Sequence, residues 1–324
     1  MKRSSIILIL KWAVFLAATA IIYFKLFHDK DTTRILYSVA DILRDPLRPL
    51  LIVVLLMVFI NWMIEARKWQ FLVNRFGSIS LGRAFKATIA GTCFSLFTPN
   101  RVGEFLGRVI FVQPSERRKA VFATIVGSIA QFLTTILMGC FAAIWFIYTN
   151  ATIQGIQGLG LGVVLSLSII LAFLCLIIYF QPSIIRTVFN NIRWLRKWRQ
   201  AILVLDRYDN AALVTVLVLS ILRYLVFSTQ FVMLLFLFNV DISVTNAYAS
   251  VFLVYLISTI LPTVIFSELG VRELVAWSVM SAFATNEIGI VAASFVLWVI
   301  NLLVPAAVGS VIVLGSKIEL STSK

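Results

Sequence analysis

Residues 87–112 read ATIAGTCFSLFTPNRVGEFLGRVIFV, an apolar stretch broken near its middle by the polar run TPNRVGE at 98–104. An apolar helix of about 20 residues crosses a bilayer. A proline and charged side chains in the interior of such a helix oppose a simple crossing. We therefore expect this segment to enter the membrane, turn at the break and return to the side from which it came.

The composition places the whole chain in the membrane. Of its 324 residues 61% are hydrophobic and 13% charged, whereas a soluble domain is about half apolar and a quarter charged. Apolar runs predict an all-α polytopic membrane protein in which residues 1–324 form a single transmembrane domain. The predicted spans are Ile6–Tyr23, Leu50–Ile64, Ala120–Tyr148, Leu159–Phe180, Ala211–Phe238 and Ile288–Leu314.

The basic residues indicate the topology. The net charge is +14, and Lys and Arg concentrate at 67–86, 117–119 and 186–207. Short basic loops face the cytoplasm, so the two basic flanks of 87–112 are expected on the same side. By the same logic Ala247–Ala284, broken at Pro262–Gly270, is a second re-entrant hairpin. The prediction is six full spans, two hairpins and cytoplasmic termini; eight simple crossings are the alternative.

A weak internal repeat supports the two hairpins. Ile79–Phe85 aligns with Ile242–Tyr248, and without a gap Pro99 then aligns with Pro262. The predicted topology gives these segments opposite orientations. Inverted repeats whose broken helices meet near the middle of the bilayer are common in transporters.

Each hairpin break is predicted to restart a helix inside the membrane. Thr98 is expected to cap a helix that begins at Pro99, and Ser267 to cap one that begins at Glu268. Free N–H groups at such helix starts suit phosphate. The residues predicted to form the two breaks are Thr98, Pro99, Asn100, Gly103, Pro262, Ser267 and Gly270.

Charged side chains next to the breaks are the candidate binding residues. Intramembrane charges are costly and usually line a functional cavity. Their spacings of three and four place Arg101, Glu104 and Arg108 on one helix face, and pair Glu268 with Arg272. They either hold a lipid headgroup or fasten the hairpins as structural ion pairs. The candidates are Arg101, Glu104, Arg108, Glu268, Arg272 and Glu273. Outside this set, Arg223 is expected to snorkel to the cytoplasmic interface.

Catalysis has little support in the sequence. The single histidine, His28, lies near a predicted membrane edge, and the three cysteines fall in separate apolar segments. No nucleotide-binding loop, nucleophile motif or metal-ligand spacing is present in the sequence. We expect no enzymatic activity, no cofactor, no metal and no nucleic-acid partner.

Several short motifs resemble one known family. They are Ala66–Trp69, Ser80–Phe85, Phe97–Glu104 and Glu268–Glu273. With them the chain resembles, over about residues 50–314, the flippase-like family that shares the transmembrane region of lysylphosphatidylglycerol synthases. The resemblance implies movement of a lipid or lipid-linked headgroup between leaflets. Since the sequence stops at Lys324 without a soluble aminoacyl-transferring domain, lysine transfer is not expected.

Taken together, the sequence predicts a flippase-like transporter of an anionic lipid in the inner membrane of a prokaryote. The headgroup is expected to lie between the hairpins, held by Arg101, Arg108, Arg272 and the half-helix N-termini. A membrane-embedded lipid-modifying enzyme is one alternative. A non-transporting scaffold for a partner enzyme in the membrane is the other.

The hairpin topology can be tested by cysteine labelling. In a cysteine-free background, Ser78→Cys and Ser115→Cys should both react with an impermeant maleimide from the cytoplasmic side only, because both flanks of the hairpin are basic. Asn150→Cys, in the uncharged loop, is the control expected to react from outside. Reaction of residues 78 and 115 from opposite sides would instead establish a full crossing.

Overall fold

The computed structural model describes residues 48–96, 98, 102–149, 159–181, 187, 191, 199–260 and 265–316, which contain helices and no strand. Side chains of a few helix residues beside the gaps are not described. The α-helices are α1 (Arg48–Val73), α2 (Leu81–Ser95), α3 (Glu104–Val109), α4 (Arg117–Thr149), α5 (Leu159–Phe180), α6 (Arg199–Ile202), α7 (Asn210–Leu237), α8 (Val244–Ile260), α9 (Ile265–Met280), α10 (Glu287–Trp298) and α11 (Val304–Gly315). Short 3-10 helices occupy Pro114–Glu116 and Leu203–Arg207, and a π-helical turn, Val299–Leu303, joins α10 to α11.

The protein is an all-α polytopic membrane protein, as the sequence predicts. Within the described residues four helical segments are long and apolar enough to cross a bilayer: Pro49–Val73, Pro114–Trp145, Asn210–Leu237 and Glu287–Gly315. Large apolar side chains such as Ile52, Leu56 and Phe173 are exposed on the outside of the bundle, as lipid contact requires. The predicted span Ile6–Tyr23 lies outside the described residues.

The first predicted hairpin reverses direction in the structure. Gly103 lies against the carbonyl of Phe94 and Gly107 against Gly91, so α3 runs back along α2. The two ends of the segment meet where the Arg83 side chain donates to the Phe111 carbonyl at 3.1 Å. Residues 87–112 therefore return to the end of the bundle from which they start. Their position relative to the bilayer stays a prediction.

The helix restart after the first break is not where the sequence placed it. Helix α3 begins at Glu104 with Gly103 as its N-cap, so the prediction that Thr98 caps this helix is wrong. The Thr98 hydroxyl instead accepts from the Gly103 N–H at 2.6 Å and closes the turn. Pro99, Asn100 and Arg101 lie outside the described residues.

The second break also differs from the prediction. Helix α9 begins at Ile265, so Ser267 and Gly270 lie inside the helix and do not interrupt it. The prediction that Ser267 caps a helix starting at Glu268 is therefore wrong. Helix α8 packs on α9, and only residues 261–264 separate them. Pro262 falls in that gap, outside the described residues.

The two halves of the bundle have matching contacts. The first half consists of α1, α2, α3 and α4. Their equivalents in the second half are, in the same order, α7, α8, α9 and the α10–α11 segment. Each contact in the first half has an equivalent in the second: α1–α2 corresponds to α7–α8, α2–α3 to α8–α9, α3–α4 to α9–α10, and α1–α4 to α7–α10. Between the halves, the α2–α11 contact corresponds to the α8–α4 contact. This correspondence is what the weak sequence repeat predicts.

The matching halves are inverted relative to each other. Helices α1 and α7 pack together and run antiparallel. Val54 accepts from Gln230 near one end of the pair, and Leu72 accepts from Tyr208 near the other. An inverted repeat requires this orientation of equivalent helices.

Close backbone packing of the first hairpin depends on glycine. A Cβ at residue 107 would lie 2.5 Å from Gly91 Cα and 2.7 Å from the Ala90 carbonyl oxygen. Gly107→Ala should therefore force α3 away from α2 and destabilise the protein by about 1–3 kcal/mol. Thermal unfolding in detergent measures this effect.

Gly82→Ala is the matched control, because an added Cβ at residue 82 meets nothing within 4 Å. It should leave stability unchanged or raise it by up to about 1 kcal/mol, the helix preference of alanine over glycine. Equal unfolding temperatures for the two variants would contradict the close approach of α2 and α3.

Candidate functional site

A cluster of charged side chains lies buried where α1, α3 and α7 meet. The Glu65 carboxylate accepts a hydrogen bond from Arg108 Nη2 at 2.7 Å and forms ion pairs with Lys68 Nζ at 2.8 Å and with Arg223 Nη1 at 3.4 Å. Arg108 also pairs with Glu104, one helical turn earlier in α3. Three cations thus share two carboxylates, which leaves the five groups with one excess positive charge. We call them the charged cluster.

The charged cluster is removed from lipid and water to different degrees. Glu65, Lys68 and Arg108 are 5%, 1% and 3% exposed, so all three depend on one another for charge compensation. The side chains of Glu104 and Arg223 are 26% and 22% exposed. The last two groups therefore form the accessible edge of the cluster.

Local helix geometry positions these groups. Glu65 and Lys68 are three residues apart on α1, and Glu104 and Arg108 are four apart on α3, so each pair lies on one helix face. Gly91 of α2 leaves room for the pair on α3, because a Cβ there would lie 3.1 Å from Cγ of both Glu104 and Arg108.

Indole rings cover two of the cations. The Arg108 guanidinium lies 5.8 Å from the centroid of the Trp69 ring, and the Arg223 guanidinium lies 5.8 Å from that of the Trp62 ring. Cation–π attraction of this kind is stronger where the cation has lost its water. The two tryptophans therefore help to hold both guanidinium groups in place.

Two adjoining cavities meet at Arg223. The first, of about 190 Å³, extends from Arg223 toward Arg272 and Asn301. The second, of about 360 Å³, extends toward Glu65, Lys68 and Glu104. Both are lined by Trp62, Gln131, Thr135, Arg223 and Thr259. We call these two adjoining cavities the polar cleft; it extends from the charged cluster to the second hairpin.

The first cavity has an unequal charge balance. Among the residues that the structure describes, its lining contains two arginines, Arg223 and Arg272, and no Asp or Glu. Asn61 and Asn301 add amides, with Asn61 Nδ2 donating to Asn301 Oδ1 at 3.2 Å. Such a wall can bind an anion and can hydrogen-bond to uncharged polar groups beside it.

The predicted site residues divide into four groups. Glu104 and Arg108 lie in the charged cluster, and Arg272 lines the first cavity. Glu273 is partly buried next to Arg272 on α9 but is not among the lining residues of the cavities described above. Arg101 and the side chain of Glu268 lie outside what the structure describes. The predicted pair of Glu268 with Arg272 therefore stays a prediction.

Sequence reasoning missed the centre of the cluster. Lys68 was counted among the residues of a basic loop, but α1 continues to Val73 and buries it. The prediction that Arg223 snorkels to the interface is wrong, since its guanidinium contacts Glu65 and donates to Gln131 at 3.2 Å inside the bundle. The sequence does contain a signal for this cluster. Glu65 and Lys68 are three residues apart next to an apolar run, a spacing that is typical of an ion pair on one helix face.

Comparison with known proteins agrees with this architecture. A family model described as the lysylphosphatidylglycerol synthase TM region matches residues 7–312. The chain belongs to this family. The match begins nearer the N-terminus than the resemblance in the sequence, which started at about residue 50. No curated protein and no solved structure matches the chain. Membership of the lysylphosphatidylglycerol synthase TM region family associates the chain with a membrane lipid-related function.

Removing the central carboxylate of the charged cluster should lower the stability of the protein strongly. Glu65→Gln leaves three cations with only Glu104 to compensate them, and an uncompensated buried charge costs about 3–5 kcal/mol. Thermal unfolding in detergent at neutral pH measures the change in stability.

Glu116→Gln is the matched control for Glu65→Gln. Glu116 pairs with Lys119 at 3.0 Å in a partly exposed position, and exposed pairs contribute about 0–1 kcal/mol. Similar losses of stability in the two variants would show that Glu65 does not organise the interior.

Proposed function

We propose that this protein moves an anionic lipid, or a lipid-linked anionic headgroup, between membrane leaflets. The observation that carries the proposal is the first cavity, which presents Arg223 and Arg272 from α7 and α9 and has no Asp or Glu among its described lining residues. A phosphate placed there gains two charge-assisted partners that can each bind through two hydrogen bonds.

The position of the cavity supports transport over simple lipid anchoring. It is bordered by α1, α4, α7, α8, α9, the end of α10 and the π-helical turn, so it lies at the junction of the two inverted halves. In inverted-repeat transporters, substrate sites occur at the interface between repeats, and one half moves against the other around the site. In this proposal the lipid tails stay in the bilayer while the headgroup crosses the cleft.

The charged cluster gives Arg223 a role in this movement. Its distance to Glu65, 3.4 Å, exceeds those of Lys68 and Arg108, and its side chain is more exposed than theirs. Arg223 is therefore the cation that an incoming phosphate can most readily engage. Lys68 and Arg108 remain to compensate Glu65 when it does.

We also propose where the protein acts and that it catalyses no reaction. The protein would lie in the inner membrane of a prokaryote with both termini in the cytoplasm, and would act without a cofactor or covalent step. Its partner would be an anionic membrane lipid. Under the sequence-based alternatives, a lipid-modifying enzyme or a scaffold for a partner enzyme, the reconstituted protein would not move lipid between leaflets.

Transport in proteoliposomes tests the proposal. Purified protein is reconstituted with fluorescent phosphatidylglycerol, and translocation is followed as the fraction of label accessible to an impermeant quencher. Arg223→Gln and Arg272→Gln should each reduce the rate about tenfold or more, because each loses hydrogen bonds to a charged group. Lysine at either position should restore only part of the rate, since it lacks the planar fork of arginine.

Two controls keep transport separate from stability. Arg118→Gln removes an exposed cation outside the cavities and should transport normally. Arg272→Gln combined with Glu268→Gln removes both members of the predicted pair and should fold stably yet remain inactive. Normal transport by this double variant would rule out Arg272 as a substrate ligand.

A further inference from the structure

Buried hydrogen-bond donors without partners concentrate around the first cavity. They are the indole N–H groups of Trp62 and Trp298, the hydroxyls of Tyr224 and Ser258, and Nε of Arg223; none has a hydrogen-bond partner among the described residues. All five side chains line the same cavity. Since most buried polar groups in proteins are paired, this concentration marks a place where water, or a ligand that displaces it, completes the hydrogen bonding.

The identity of the donors restricts that molecule. Trp62 and Trp298 are 7% and 1% exposed, and an indole N–H can donate but never accept. The guanidinium of Arg223 likewise only donates. The ligand must therefore supply several oxygen acceptors at once. A phosphate supplies some of these acceptors. If the two arginines already bind that phosphate, the two indoles and the two hydroxyls need further oxygen atoms on the ligand.

The cavity has features that suit hydroxyl groups on the ligand. Asn61 Oδ1 has no donor, and Gln131, Thr135 and Thr259 are also in the lining. A hydroxyl group can accept from an indole N–H and donate to an amide oxygen at the same time. Polyols therefore match a wall that contains both donors and acceptors.

Aromatic rings form another part of the wall. Phe227 and Tyr255 stack with centroids 5.2 Å apart, and Tyr224 meets Tyr255 edge-on at 5.6 Å. These rings offer an apolar surface to the C–H groups of glycerol or a sugar. The charge of the described lining, two cations and no carboxylate, disfavours an ammonium group in the same cavity.

We propose that the cavity selects a phosphate ester of an uncharged polyol, such as glycerol or a sugar, and rejects headgroups that carry an amine. The inference rests on the proposed function only in assuming that a lipid brings the headgroup to the cavity. The recognition itself is a binding property, which is measured without transport.

Lipid binding to the purified protein in detergent tests the selection. Phosphatidylglycerol, phosphatidylethanolamine and lysyl-phosphatidylglycerol are titrated separately, and bound lipid is counted by native mass spectrometry. Phosphatidylglycerol should bind on the order of tenfold more tightly than either amine-bearing lipid, because an ammonium placed beside two guanidinium groups is both desolvated and repelled.

Soluble competitors separate the headgroup from the lipid tails. Glycerol 1-phosphate should displace bound phosphatidylglycerol at a lower concentration than inorganic phosphate or ethanolamine phosphate. If inorganic phosphate competes equally well, the cavity recognises phosphate alone and the polyol part of the proposal is overturned. If none of the three competes, the lipid is held by its tails and the proposed headgroup site is wrong.

Conservative variants connect the binding to the unpaired donors. Trp62→Phe, Trp298→Phe and Tyr224→Phe each remove one donor and keep an aromatic ring, so each should weaken phosphatidylglycerol binding about fivefold. Trp277→Phe is the control, because Trp277 is 37% exposed and does not line the cavity. Unchanged affinity in all three cavity variants would overturn the assignment of these donors.

The outcomes distinguish this inference from the proposed function. Selective binding of phosphatidylglycerol without translocation would refute transport and leave the headgroup selection intact. Translocation with equal binding of all three lipids would support transport and refute the headgroup selection. Failure of the purified protein to bind any of the lipids would overturn both.

Discussion

Glu65 lies buried where α1, α3 and α7 converge, and its carboxylate contacts Lys68, Arg108 and Arg223. Three otherwise costly cations are tolerated in the interior because this one carboxylate faces all of them. The contact also fixes the short arm of the first hairpin, α3, against the central helix pair α1 and α7. The cluster therefore ties α7, from the second half of the repeat, to α1 and α3 of the first half beside the polar cleft.

Close backbone packing supplies the second constraint. Gly139 of α4 receives the side chain of Leu256 from α8, and Gly309 of α11 receives the carbonyl of Ile89 from α2. The two glycines lie on equivalent helical segments of the two inverted halves, α4 and α10–α11. In a membrane, helix association depends on such small residues because lipid gives no hydrophobic driving force between helices. Each hairpin is thus seated on a glycine of the opposite half.

The sequence predicts the fold better than it predicts the site. Apolar runs and basic loops are properties of long segments, and they predict α4, α5 and α7 to within a few residues as well as the reversal between α2 and α3. The helix starts at Glu104 and Ile265 were misplaced, because local capping preference at Thr98 and Ser267 was outweighed by packing that sequence does not display. Arg223 was misplaced for a related reason, since its partner Glu65 lies on another helix and far away in sequence. Glu65 and Lys68 are a local pair on α1, but their burial depends on Arg108 and Arg223 from other helices.

The charged cluster has a consequence for biosynthesis. Helices α1 and α3 each carry their own counter-ion, because Glu65 lies one turn from Lys68 and Glu104 one turn from Arg108. Helix α7 has no acidic residue along Asn210–Leu237, so Arg223 enters the bilayer without a local partner, at a cost of about 2.5–3.5 kcal/mol near the centre of an isolated helix. Contacts with Glu65 of α1 and with Gln131 of α4 offset that cost, and both helices are synthesised earlier. Insertion of α7 is therefore easier while α1 and α4 are still beside the insertion site.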